Sequence, residues 1–132
     1  MDNLALSLAG LIGAVTALFH GIVTNRLMVG PISRRLAADP EVSETIRRIV
    51  PPLLHYSMFS WLVGGMALVV AANFAGAKAR RAVGLLVGVM YLYAAIANAW
   101  ATRGRHPGWL LMAVAVVLIV IDVMARWGEI AV

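Results

Sequence analysis

Residues 4–23 read LALSLAGLIGAVTALFHGIV, a run with no charged side chain and with Ser7, Thr16 and His20 as its polar members. At ~1.5 Å per residue, about twenty such residues make a helix that crosses ~30 Å of hydrocarbon. The run therefore predicts a membrane span. Ala9, Gly13, Ala17 and Gly21 recur at spacing four, a small-residue stripe that lets two helices approach closely. Leu8, Ile12, Thr16, His20 and Thr24 run beside it, so the polar groups and the small residues share one face, predicted to point at protein.

The rest of the chain repeats that composition. Of its 132 residues, 62% are hydrophobic and 13% charged, and mean hydropathy is +0.89, well outside the range of soluble domains. Three further apolar runs cover residues 53–74, 82–101 and 109–124. The expected fold is all-α: one integral membrane domain over residues 1–132, a bundle of four antiparallel transmembrane helices. Met1-Asp2-Asn3 lacks the basic region of a secretory signal, so the first run is expected to be retained. The chain has no cysteine, which excludes disulfides, thiolate metal sites and thiol nucleophiles.

Between the first two runs, residues 24–52 change character, with Arg26, Arg34, Arg35, Arg47 and Arg48 set against Asp39, Glu41 and Glu44. Asp39-Pro40-Glu41 predicts a helix start, with Asp39 as cap and Pro40 at the first helical position. Pro51-Pro52 predicts its end. A short interfacial helix carrying Val42, Ile46 and Ile49 on its apolar side is expected between spans one and two.

The formal charge of +5 has a topological explanation that needs no nucleic acid. Arg26, Arg34, Arg35, Arg47, Arg48, Arg103 and Arg105 fall on one face of the membrane and Lys78, Arg80, Arg81 and Arg126 on the other. The positive-inside rule then places residues 24–52 in the cytoplasm and both termini in the periplasm. The aromatic residues Trp61, Tyr91, Tyr93, Trp100, Trp109 and Trp127 are expected mainly as an interfacial belt.

Depth counting assembles a candidate site. His20 falls ~5 Å and His55 ~3 Å from the cytoplasmic face, His106 lies in the turn at that face, and Asn98 is ~6 Å deep. Asn98 belongs to one face of the third span with Gly84, Gly88, Tyr91, Ala95 and Thr102. Two cofactor chemistries suit the layer. Three imidazoles, His20, His55 and His106, could ligate a transition metal, leaving an open position. Alternatively His20 and His55, with Asn98 nearby, could hold haem b between adjacent helices. The bland alternative is that interfacial histidines are merely tolerated as amphipathic side chains.

Asp122 is the one acidic residue within a span and suits a proton carrier of a transporter. Arg126, four residues later, offers it a local ion pair instead, and that pairing is the expectation. Arg103 and Arg105, beside the amino end of the fourth span, could meet an anion such as a lipid headgroup. There is no phosphate loop, no GxSxG and no nucleophile beside a base.

Phe19-His20-Gly21, Leu54-His55-Tyr56-Ser57 with Trp61, and Gly104-Arg105-His106-Pro107-Gly108-Trp109 resemble a group of small, uncharacterised four-span bacterial inner-membrane proteins. The resemblance implies the fold and a bacterial inner membrane, and no activity. It differs from small multidrug exporters, whose first span carries a glutamate. The functional expectation is a non-enzymatic small membrane subunit or binding module built on the His20, His55, Asn98, His106 layer. It would sit in the lipid bilayer as a homo-oligomer or within a larger membrane complex. A transporter using Asp122 and a membrane-embedded metalloenzyme using the histidines are the competing expectations.

Overall fold

The computed structural model describes residues 3–126, and its regular structure is entirely helical over them. Helix α1 spans Leu4–Thr24, a π-helical turn spans Asn25–Val29, and α2 spans Gly30–Ala38. The long helices α3 (Glu44–Phe74), α4 (Ala77–Ala101) and α5 (Gly108–Ala125) follow. Four helical stretches are long and apolar enough to cross a membrane. Trp127, assigned above to the aromatic belt, lies outside the described residues.

Several boundaries differ from the expected ones, and two of them lie at prolines. The first helical stretch does not stop at Val23 but continues unbroken to Ala38. Pro31 has no N–H to give the preceding turn, and the chain absorbs the loss by widening just before it: the Gly30 N–H bonds to the Asn25 carbonyl. Asp39 then ends α2 instead of starting a helix; its Oδ1 accepts from the Glu41 N–H at 3.0 Å and its carbonyl from Arg47 Nη2 at 2.7 Å. The cap of the next helix is Ser43, whose hydroxyl accepts from the Ile46 N–H at 3.4 Å. Helix α3 runs straight through Pro51 and Pro52. The carbonyls that lose donors there belong to Arg47 and Arg48, next to the exposed first turns of the helix, where water can replace the missing bonds. The residues expected as a separate interfacial helix are thus the opening turns of α3, preceded by α2.

Helix α1 packs on α3 and α5, and α4 packs on the same two, so the four long helices close a ring in the order α1, α3, α4, α5. The small-residue stripe Ala9, Gly13, Ala17, Gly21 is buried inside this ring. Gly13 receives the ring of Tyr91, Gly21 receives Met58, and Gly84 on α4 receives Val123 of α5. These stripes are therefore used within the chain, and any partner would meet other faces. Residue numbers run in opposite senses along α1 and α3: Ser7 bonds to Asn73, Gly10 meets Gly65, and Gly21 meets Met58.

The face traced on α4 is the buried one, with Gly84, Tyr91 and Ala95 inside. Tyr91 is correspondingly a core residue and not part of a belt. It is 0% exposed, and its hydroxyl donates to the Trp61 carbonyl at 2.9 Å. Trp61 is also in the core, whereas Trp100, 84% exposed, and Tyr93 stay on the outside. Many large apolar side chains are exposed on the long helices, among them Leu11, Phe19, Phe59, Val70, Leu86 and Val117.

Candidate functional site

Two polar constellations lie inside the bundle, at opposite ends. The first is built on Arg80. Helix α4 begins at Ala77, five residues before the expected span, so Arg80 sits in its first turn and turns inward instead of lying in a solvated basic loop. Its Nε donates to Asp122 Oδ2 at 3.0 Å and its Nη2 to Asp122 Oδ1, a bidentate pair linking α4 to α5. Nη1 donates to the Ala72 carbonyl of α3 at 2.9 Å and to Asn3 Oδ1 ahead of α1. One guanidinium therefore ties all four long helices together. Both partners are nearly inaccessible, with side chains 4% and 5% exposed.

The expected pair of Asp122 with Arg126 is present, with Arg126 Nε at 3.8 Å, and Arg80 adds a nearer, bidentate partner. Sequence reasoning missed Arg80 because the third apolar run was read as beginning only at residue 82. The signal was nevertheless present: Arg80 lies three residues from the start of α4 and Asp122 three from the end of α5, which puts them at one depth.

The second constellation is a cavity of about 260 Å³ at the other end. Helix α1 contributes Val15, Thr16, Phe19 and His20, α3 contributes Trp61, and α4 contributes Asn98. The α4–α5 turn and the start of α5 contribute His106, Pro107, Gly108 and Leu111. The sequence-predicted His20, Asn98 and His106 do come together here. His55 does not line the cavity. It lies six residues before Trp61, which on a helix is ~120° around the axis and ~9 Å along it. Depth counting put His55 level with His20, but His20 meets Trp61, so His55 is displaced from the cavity both along α3 and around it. Its Nδ1 is buried without a hydrogen bond.

Among the described residues, no group of three or more His, Asp or Glu side chains is placed to hold a metal ion. The three-histidine metal site expected from depth is therefore not assembled. The cavity beside His20 does not take in His55, so it does not bring together the pair expected to hold haem.

His20 stacks against Trp61 with ring centroids 4.5 Å apart and planes tilted by 43°. His106 Nδ1 accepts from the Gly108 N–H at 3.1 Å, so in the neutral imidazole the proton resides on Nε2, which is a donor. Asn98 Nδ2 donates to the Ala94 carbonyl at 2.8 Å, which leaves its Oδ1 as an acceptor. Thr16, 6% exposed, also lines the cavity, but its hydroxyl is buried behind the wall and makes no hydrogen bond. The other walls are apolar. Among the described residues, no carboxylate, ammonium or guanidinium lines the cavity.

The turn that carries His106 is fixed by its own bonds. Helix α4 ends in a Schellman arrangement, with the Gly104 N–H on the Ala99 carbonyl at 2.8 Å and the Arg103 N–H on the Trp100 carbonyl at 3.2 Å. The Trp109 indole then donates to the Gly104 carbonyl at 3.1 Å. Arg103 occupies the left-handed position, φ 51°, that usually falls to glycine. Arg103→Gly is accordingly expected to stabilise the protein by about 0.5–1 kcal/mol, the strain relieved less the extra chain entropy of glycine. A thermal unfolding shift upward checks it. Arg103 and Arg105 themselves are exposed at this end and do not enter the cavity.

Comparison of the chain with protein-family models, curated protein sequences and solved structures gives no match, so the geometry of these two constellations carries the functional reading by itself.

Proposed function

We propose that the chain is a multi-pass protein of a bacterial inner membrane, an antiparallel four-helix bundle that acts as a small binding module or accessory subunit. Its ligand site is the cavity of Thr16, His20, Trp61, Asn98 and His106, at the cytoplasmic end. The observation that carries the reading is the cavity itself, about 260 Å³ of largely apolar wall that brings His20, Asn98 and His106 together from three elements. Within it His106 Nε2 is a donor and Asn98 Oδ1 an acceptor.

Orientation follows from charge. Arg80 is neutralised by Asp122 inside the bundle, so the face opposite the cavity is less basic than a residue count implies. The cavity end carries the exposed Arg34, Arg35, Arg48, Arg103 and Arg105, which supports a cytoplasmic placement against anionic headgroups and periplasmic termini. Function is not built on Asp122, because a carboxylate with both oxygens engaged by one guanidinium is poorly placed to carry protons.

The test is organic extraction of protein purified in native lipid discs, followed by mass spectrometry. A lipophilic molecule should be retained in stoichiometric amount, and its yield should fall severalfold in Asn98→Leu and His106→Leu at unchanged protein recovery. Retention should survive chelator treatment, since it does not depend on a metal. Protein that carries nothing above bulk lipid, and shows no saturable uptake of added lipophiles, would overturn the reading.

A further inference from the structure

The cavity opens sideways. Val15 and Phe19 of α1 and Leu111 of α5 line it and are also 63%, 68% and 46% exposed, on two helices that pack together. Its mouth therefore lies between α1 and α5, and in a membrane it faces hydrocarbon. Depth decides which part of a lipid meets it. The 18 residues of α5 rise ~27 Å, close to the ~30 Å of bilayer hydrocarbon, so the turn of residues 102–107 stands at the level of the headgroups. Leu111 on α5 and Asn98 on α4 each lie three residues inside their helix ends, ~5 Å deeper, where acyl chains begin.

The same turn supplies charge. Arg103 and Arg105 are exposed, and Arg105 adjoins His106, which lines the cavity. The described acidic residues are Asp39, Glu41 and Glu44, at the α2–α3 connection, and Asp122, at the opposite end of the bundle. None of them pairs with Arg103 or Arg105. A basic turn without an acid of its own attracts an anionic headgroup at the cytoplasmic leaflet. Volume sets the share of the lipid that enters. At about 260 Å³ the cavity is smaller than the about 300–1,000 Å³ of pockets that enclose a drug-sized molecule, so it admits a segment of one chain and leaves the rest in the bilayer.

Resting on the cavity being a ligand site, we infer that its ligand is an anionic phospholipid of the cytoplasmic leaflet, with one acyl chain entering between Phe19 and Leu111 and the phosphate outside, against Arg103 and Arg105. The ester carbonyls then fall at the level of His106, whose Nε2 is a donor.

The test uses the full chain in phosphatidylcholine nanodiscs, into which phosphatidylglycerol or phosphatidylcholine brominated high on the acyl chains is titrated. Bromine quenches tryptophan fluorescence at short range. Trp61 lines the cavity and is 8% exposed, so the quenching that Trp61→Phe removes reports a chain inside it. That component is expected to saturate at a mole fraction at least about fivefold lower for phosphatidylglycerol than for phosphatidylcholine, the factor that one basic residue at the surface contributes. Arg103→Gln/Arg105→Gln, at exposed positions, should bring the two curves together, and so should high salt. Val15→Phe, which enlarges an exposed residue at the mouth, should reduce quenching by both lipids. Glycerol phosphate, a headgroup without chains, should displace neither.

If the two lipids quench Trp61 equally and the arginine variant changes neither, the anionic-lipid inference falls and the cavity remains a site for a lipid chain. Quenching unchanged in Val15→Phe would put the chain outside the cavity and overturn the inference. If neither lipid gives a Trp61 component while extraction still retains a lipophile, the phospholipid inference falls alone. If nothing is retained and nothing saturates, the proposed binding function falls with it.

Discussion

Asp122→Leu is expected to cost about 3–5 kcal/mol of stability, because it strands the Arg80 guanidinium inside the bundle without its bidentate partner. Its bonds to the Ala72 carbonyl and Asn3 are to neutral groups and do not replace the lost carboxylate. Arg80→Met should cost less, since Asp122 retains Arg126 at 3.8 Å as a second cation and can draw it closer. The double variant Arg80→Met/Asp122→Leu should recover much of the loss, because replacing a buried pair by apolar residues of similar volume is often neutral. Reversible unfolding in mixed micelles, followed by circular dichroism, measures all three. Single variants that cost under about 1 kcal/mol, or a double variant equal to the sum of the singles, would show that the pair does not couple the helices.

The same pair shows where sequence reading succeeds in a membrane bundle. The apolar runs set the number of long helices, and the alternating steps of four and three from Gly84 through Tyr91 and Ala95 find the buried face of α4, because lipid and protein impose different residues on two sides of one helix. Depth along the axis was equally readable. It put His20, Asn98 and His106 at one level, and all three line one cavity. Applied to Arg80 and Asp122, it would have found their contact.

Rotation about the axis was less readable. His55 lies ~120° around α3 from Trp61 and ~9 Å along it, so it misses the cavity in azimuth and also in depth. Tyr91 and Trp61 have the composition of belt residues, yet they point inward, and only the contacts of Tyr91 with Gly13 and the Trp61 carbonyl reveal why. Helix ends were the other weak point. Pro31, Pro51 and Pro52 each have the chemistry of a breaker, but a π-helical turn in one case and accessible carbonyls in the other let the helix continue. A proline pair shows that donors are missing; it does not show that the chain lacks another way to satisfy the acceptors.

Spacing four from Ala9 also passed over a close backbone-to-backbone contact, which lies one residue along. Gly10 and Gly65 bring the backbones of α1 and α3 together: a Cβ on either would stand 2.5 Å from the carbonyl oxygen of the other. Such an overlap cannot be relieved by a side-chain rotation, because its partner is backbone, so the two helices must separate along their whole contact. Gly10→Ala and Gly65→Ala are therefore each expected to cost about 3 kcal/mol, at the upper end of overpacking effects. They should also loosen the seat of Tyr91, since Gly13 and Gly64 on the same two helices hold its ring. Two controls isolate the cause. Gly84→Ala places its Cβ 3.3 Å from the Val123 side chain, which can yield, and should cost under about 1 kcal/mol. Gly76→Ala has no neighbouring atom within 4 Å and should be neutral. Unfolding midpoints that rank Gly10 and Gly65 far below Gly84, and Gly84 near Gly76, are the expected order. Equal effects at all four positions would mean that glycine acts here through chain flexibility and not through helix approach.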